Sequence, residues 1–207
     1  MDRRAALKNI GLSAGYIAVT PTFISLLHSC KNKYVIDWTP ELLTMDEAKA
    51  LDQIVDLIIP ETAIPGAKTL NIPMLIDKYA NHVASTEDSQ FFKYGASAVL
   101  KELGIGEAKS IDDVPLEAYD ALLTKYLKAP KEKQREYREK MGDSEGMESN
   151  PEAVVFNFLT AIRGLVIYAY KNTEYVGENV LAYLPVPGEQ IGCAPLETLT
   201  GGKSWSL

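Results

Sequence analysis

Pro151 to Asn172, PEAVVFNFLTAIRGLVIYAYKN, is the stretch that leaves a fold the least choice. Proline suits the first turn of a helix, and apolar residues then fall on nearly every face. A helix of that kind is stable in water when other elements enclose it. The segment therefore reads as the central helix of an α-helical body. With 207 residues, 46% of them hydrophobic, the chain can bury one sizeable core, and two domains are not required.

The surrounding elements follow from spacing and punctuation. Thr44 and Glu47 form a capping box, and Leu51, Ile54, Val55 and Ile58 recur at helical intervals, which predicts a helix from Met45 to Ile59 stopped by Pro60. Pro60, Pro65, Gly66 and Pro73 punctuate the next stretch, so it is a structured loop. Pro73 opens a second helix whose apolar stripe is Ile72, Leu75, Ile76, Tyr79, Ala80 and Val83. A third helix is expected over Asp88 to Leu103, and a fourth over Leu116 to Leu127 after a turn at Asp112, Asp113 and Pro115. Lys131 to Asn150 is almost devoid of apolar residues and reads as a solvated helix fading into a loop. After Asn172 three prolines and five glycines stand among few helix formers, which predicts an extended, turn-rich tail across the helical body. Alternating strand patterns are absent elsewhere. The fold class is mainly α: a single helical domain with an extended Pro/Gly-rich C-terminal tail.

The first thirty residues have a different character. Ile10 to Leu27 holds 18 uncharged residues, follows a short basic region and ends beside Ser29 and Cys30. That order is the layout of a cleavable export signal. A permanent transmembrane anchor is the alternative, although Gly11, Gly15, Thr20, Pro21 and Thr22 make the stretch only mildly apolar. DRRAALK resembles the twin-arginine export motif, with Arg3, Arg4, Leu7 and Lys8 in the expected places and Ala6 where Phe is usual. LHSC resembles a bacterial lipobox ending on Cys30, with His28 an atypical occupant. The expected organisation is a twin-arginine-type lipoprotein signal peptide over 1–29, a tether carrying Trp38 over 30–44, and a helical domain over 45–207.

Charge narrows the partners. The formal charge is -7, and cleavage before Cys30 would take it to -9. So acidic a chain is a poor binder of nucleic acid or anionic lipid, so membrane attachment would run through a lipid on Cys30. Cys193 is the second of only two cysteines. A disulfide to Cys30 is the competing use; lipidation excludes it and leaves Cys193 as a small buried hydrophobe.

Residues suited to catalysis or metal binding are few. His82 is the one histidine beyond the signal, and a metal site needs several donors. Two cysteines cannot ligate an iron-sulfur cluster within the chain. There is no Cys-x-x-Cys-His and no Gly-rich strand-to-helix turn. Asp112 with Asp113, and Glu61 with Glu117, read as helix-start acids. No catalytic, cofactor-binding or metal residue is expected in this chain.

Two separated stretches carry a resemblance. Ile58 to Tyr79, IIPETAIPGAKTLNIPMLIDKY, is similar to the signature of the gluconate 2-dehydrogenase subunit 3 family through Ile58 to Pro60, Thr62, Pro65 to Ala67, Pro73, Ile76 and Asp77. Ala63 stands where the family often has Asp. The tail resembles the family's closing pattern at Tyr183, Pro185 to Gly188, Gly192, Cys193, Pro195, Leu196 and Trp205.

The resemblance implies a noncatalytic small subunit that binds, stabilises and co-exports a large flavoprotein of the glucose-methanol-choline type. That partner would oxidise a sugar or sugar acid and pass electrons to a cytochrome c subunit. FAD and haem c are then expected in the partners and none in this chain. The expected location is the periplasmic face of a bacterial membrane, with lipid anchoring at Cys30 and export by the twin-arginine route. Pro65, Gly66, Tyr183, Pro185, Pro187 and Trp205 are the expected partner contacts. The competing assignment is a stand-alone envelope lipoprotein that binds a ligand or scaffolds a complex.

Overall fold

Thr44 opens the first helix as its sequence predicts. Its hydroxyl accepts the Glu47 N–H at 3.4 Å, and the Glu47 carboxylate accepts the Thr44 N–H at 2.9 Å. Helix α1 spans Met45–Ile58, one residue short of the expected end. The computed structural model describes residues 34–106, 109–141, 149–186, 188 and 193–206. The expected signal residues Arg3, Arg4, Leu7 and Lys8, the expected lipid site Cys30, and Pro187 and Gly192 lie outside the described residues.

Helix α2 covers Ile72–His82, with proline in its first turn and Asn71 before it at φ 57°. Asparagine tolerates that left-handed conformation better than most residues. Helix α3 covers Thr86–Glu102 and starts two residues earlier than expected, because the Ser85 hydroxyl caps the Asp88 N–H at 3.1 Å. Helix α4 is Leu116–Leu127, as predicted. Helix α5 runs Lys131–Met141 and α6 Pro151–Lys171. A π-helical turn follows at Val176–Val180 and a short helix, α7, at Leu196–Thr200. Among the described residues there is no β-strand, only isolated bridges pairing Gly106 with Lys109 and Ala182 with Trp205.

Helix α6 occupies the position its sequence demands: α1, α2, α3, α4 and α5 all touch it. Val154, Leu159, Ile162 and Val166 are fully buried. Burying such side chains stabilises the fold by about 1.5–3 kcal/mol each. Helix α3 comes close to α6 at Gly95, where an added Cβ would sit 2.4 Å from the Phe158 ring. By length and composition α6 is long and apolar enough to cross a membrane, but half of it is enclosed by its neighbours. That burial is what a core helix needs.

Several expectations need correction. The solvated α5 contributes one core residue, Tyr137, whose ring lies 5.2 Å from Phe156 and 5.9 Å from Tyr126, centroid to centroid. Only half of the α2 stripe faces inward: Ile72, Ile76 and Ala80 are buried, whereas Leu75, Tyr79 and Val83 are exposed. The described side chains after Ala182 are exposed rather than laid across the helices, save partly covered Ala194, Thr200 and Ser206. Cys193 is exposed, not a buried hydrophobe, because it sits in that uncovered segment.

Candidate functional site

The loop between α1 and α2 folds back on itself. Ala67 donates its N–H to the Ile59 carbonyl at 3.0 Å and its own carbonyl receives the Ile72 N–H at 3.0 Å. One end of the loop thus closes α1 and the other starts α2. Gly66 makes the return possible, since a Cβ there would stand 2.6 Å from the Glu61 nitrogen and 2.9 Å from the Pro60 carbonyl carbon. The Pro65 carbonyl accepts the Tyr170 hydroxyl at 2.8 Å, tying the loop to the end of α6. Thr69 donates to Glu61 at 2.5 Å across the outside. Ile59, Pro65, Gly66 and Ala67 therefore define the fold of the loop, and the prolines limit what else it can adopt.

Asp77 explains the Ile-Asp of the same stretch. The side chain is fully buried, yet its two oxygens accept the backbone N–H groups of Glu41 at 2.7 Å, Leu43 at 3.0 Å and Leu42 at 3.3 and 3.4 Å. A buried carboxylate survives when hydrogen bonds replace its water. The Glu41 carboxylate in turn meets His82 at 2.5 Å and Lys78 at 3.8 Å, so α2 holds the incoming chain at both main chain and side chain. The Glu41 carboxyl is held below its usual range, chiefly by the His82 hydrogen bond.

Trp38 is buried as well, with its Nε1–H 3.5 Å from Asp52 Oδ1. Asp52 Oδ2 accepts Lys68 at 3.1 Å, joining α1 to the signature loop. An open polar cavity of about 630 Å³ lies alongside, lined by Asp37, Asp52, Asp56, Glu61 and Lys68 among others. Among the described residues no group of three or more His, Cys, Asp and Glu side chains is placed to hold a metal ion. His82 is exposed and engaged with Glu41.

The tail forms a loop closed at its base. Ala182 donates to the Ser204 carbonyl at 2.9 Å and accepts the Ser206 N–H at 2.8 Å, pairing the loop's two ends. Between them Tyr183 is 51%, Leu184 51% and Val186 78% exposed, and Trp205 at the base is 46% exposed. Pro185 is exposed too. Of the expected partner contacts, Tyr183, Pro185 and Trp205 thus share one exposed loop, whereas Gly66 is buried and Pro65 is half-buried in a separate element.

Sequence reasoning missed the Asp77 clamp and the Asp52 link, because both join segments far apart in the chain. It also merged the second, exposed stripe on α2 with the one that faces the core. Its signal was present: Leu75, Tyr79 and Val83 repeat every four residues beside the buried Ile72, Ile76 and Ala80.

Residues 45–188 match the protein family described as Gluconate 2-dehydrogenase subunit 3. No curated protein and no solved structure matches the chain significantly. The matched region begins at the first residue of α1, contains the looped signature and Asp77 but not the amides it holds, and reaches into the tail. Because that match spans more than two thirds of its residues, the chain belongs to the gluconate 2-dehydrogenase subunit 3 family.

Proposed function

We propose that this accessory subunit of a gluconate 2-dehydrogenase-like complex binds, stabilises and co-exports a large glucose-methanol-choline-type flavoprotein. The observation that carries the reading is the tail loop. It keeps Tyr183, Leu184, Val186 and Trp205 in water while its base is pinned at Ala182. Exposed apolar and aromatic side chains on a pre-closed loop suit a protein partner, since aromatic residues dominate interface energetics and a pinned loop loses less entropy on docking.

In this reading FAD and haem c reside in the flavoprotein and in a cytochrome c subunit. The substrate is a sugar or sugar acid. Arg3 and Arg4 address the complex to the twin-arginine route, which carries folded proteins, so a flavoprotein without its own signal crosses bound to this chain. Cys30 then takes a lipid that holds the complex at the periplasmic face of the membrane.

The test is purification of the tagged chain from cells that also express the flavoprotein. The expected product is a yellow complex, and replacing Arg3 and Arg4 with Lys should leave both proteins in the cytoplasm. Normal export of the flavoprotein in cells lacking this chain would refute co-export. The stand-alone lipoprotein reading draws on the polar cavity beside Asp52. It predicts a monodisperse monomer with its own ligand and no flavoprotein.

A further inference from the structure

The helical body carries a second apolar surface, separate from the tail. A groove of about 290 Å³ lies between α2, α3 and α6, with Tyr79, Phe91, Phe158, Ala161 and Leu165 among its lining residues. Asp88 is the one charged side chain in that lining, and it also accepts the Ser85 hydroxyl at 2.9 Å. Beyond the groove Leu75 on α2, Val83 just after it, and Ile167 and Tyr168 on α6 are all 45–68% exposed. These are the faces that the core left uncovered.

We infer that the groove receives one amphipathic helix of the flavoprotein subunit, with apolar side chains at i and i+4 and a lysine or arginine opposite Asp88. The inference rests on the proposed function and adds a site and a chemistry to it. Three observations select this occupant. The exposed residues lie on two helices flanking a trough, which is the arrangement that accepts a helix by its apolar stripe. Ala161 is small, and a Cβ at Gly164 would meet nothing within 4 Å, so a helix backbone can approach α6 closely.

Charge supplies the third. Asp88, an exposed carboxylate beside an otherwise uncharged lining on an acidic chain, favours one cation and disfavours an acidic partner surface. A second copy of this chain is the poorer occupant, because the exposed stripe it could lend, Leu75, Tyr79 and Val83, itself includes a wall of the groove, and both copies carry the same charge of -7.

The experiment uses the full chain co-expressed with the flavoprotein. With a benzophenone amino acid replacing Tyr168, the expected adduct maps to a flavoprotein segment with apolar i, i+4 spacing and a neighbouring Lys or Arg. Ala161→Arg should weaken the complex more than tenfold without moving the melting temperature of the free subunit. Asp88→Asn should weaken it three- to tenfold and flatten its salt dependence. An adduct to a second copy of this chain, or an Ala161→Arg complex within twofold of wild type, would overturn the inference. If the flavoprotein co-purifies but these variants bind normally, only the groove assignment falls. Were wild type to bring down no flavoprotein at all, the proposed function would fall with it.

Discussion

Asp77 Oδ1 accepts the Leu43 N–H at 3.0 Å, across 34 residues of sequence, while Oδ2 takes the Glu41 N–H at 2.7 Å. One fully buried side chain thus does for three consecutive amides what a helical turn would otherwise do. Asp77→Ala should destabilise the body by roughly 2–4 kcal/mol, because it orphans several amides at once. Asp77→Asn keeps one acceptor oxygen and should lose about half as much. Urea unfolding followed by circular dichroism measures both; a loss under about 1 kcal/mol for Asp77→Ala would mean water replaces the carboxylate.

Two glycines should respond to alanine with opposite signs. Gly66→Ala drives a methyl against the Glu61 and Pro60 backbone, which cannot rotate away, so a loss of about 2 kcal/mol or more is expected. Gly164→Ala, on the open side of α6, should gain about 0.5–1 kcal/mol from helix propensity. Melting curves of the two variants side by side decide this, and equal shifts would contradict it.

Tyr126 gives the fold an alkaline limit. It is fully buried, its hydroxyl has no hydrogen-bond partner among the described residues, and burial raises its pKa from 10 to about 12. Lys125, whose ammonium lies 4.8 Å from the ring centroid, pulls the other way. Because the folded value is the higher one, the contribution is complete below pH 10 and is lost as pH rises from 10 towards 12. Tyr126→Phe should match or exceed wild-type stability at pH 7, since it removes an unsatisfied hydroxyl. It should also fall less steeply above pH 10 in a pH series of thermal midpoints. Parallel curves for the two proteins would show that burial of this hydroxyl is not what limits them.

Ending the chain after Ala182 separates the loop's two possible roles. The described side chains that this removes are mostly exposed, so the melting temperature should change by only a few degrees. Affinity for the flavoprotein should fall at least tenfold, about 1.4 kcal/mol. A large drop in stability with unchanged binding would make the loop a part of the body instead.

Local signals carried most of the helix map. Thr44 with Glu47, Pro73 and Pro151 placed the starts of three helices, and Pro60 the end of one, because each acts through its own backbone or within four residues. The start of α3 was missed by two residues although Ser85 and Asp88 stood three apart, a capping pattern. Periodicity could not decide which of two adjacent stripes on α2 meets the core, since Leu75, Tyr79 and Val83 repeat as regularly as Ile72, Ile76 and Ala80. Tyr137 was hidden by its charged neighbours. Lys133 and Arg138 lie over the rings of Tyr137 and Phe156, so the charged helix still covers aromatic core. The signature's recurring residues were visible, but their reasons were not. Gly66 answers to Pro60 and Glu61, and Asp77 to amides 34 to 36 positions earlier, so neither follows from spacing.

The Asp77 clamp has a mechanical consequence. Tension applied along the chain from its N-terminal side reaches buried Trp38 and the bonds at Glu41, Leu42 and Leu43 before it reaches Thr44. One carboxylate holds three consecutive amides there, and α1 begins behind them, so the clamp has to give before the first turn of the helix is pulled. The body should therefore move under traction as one solid piece.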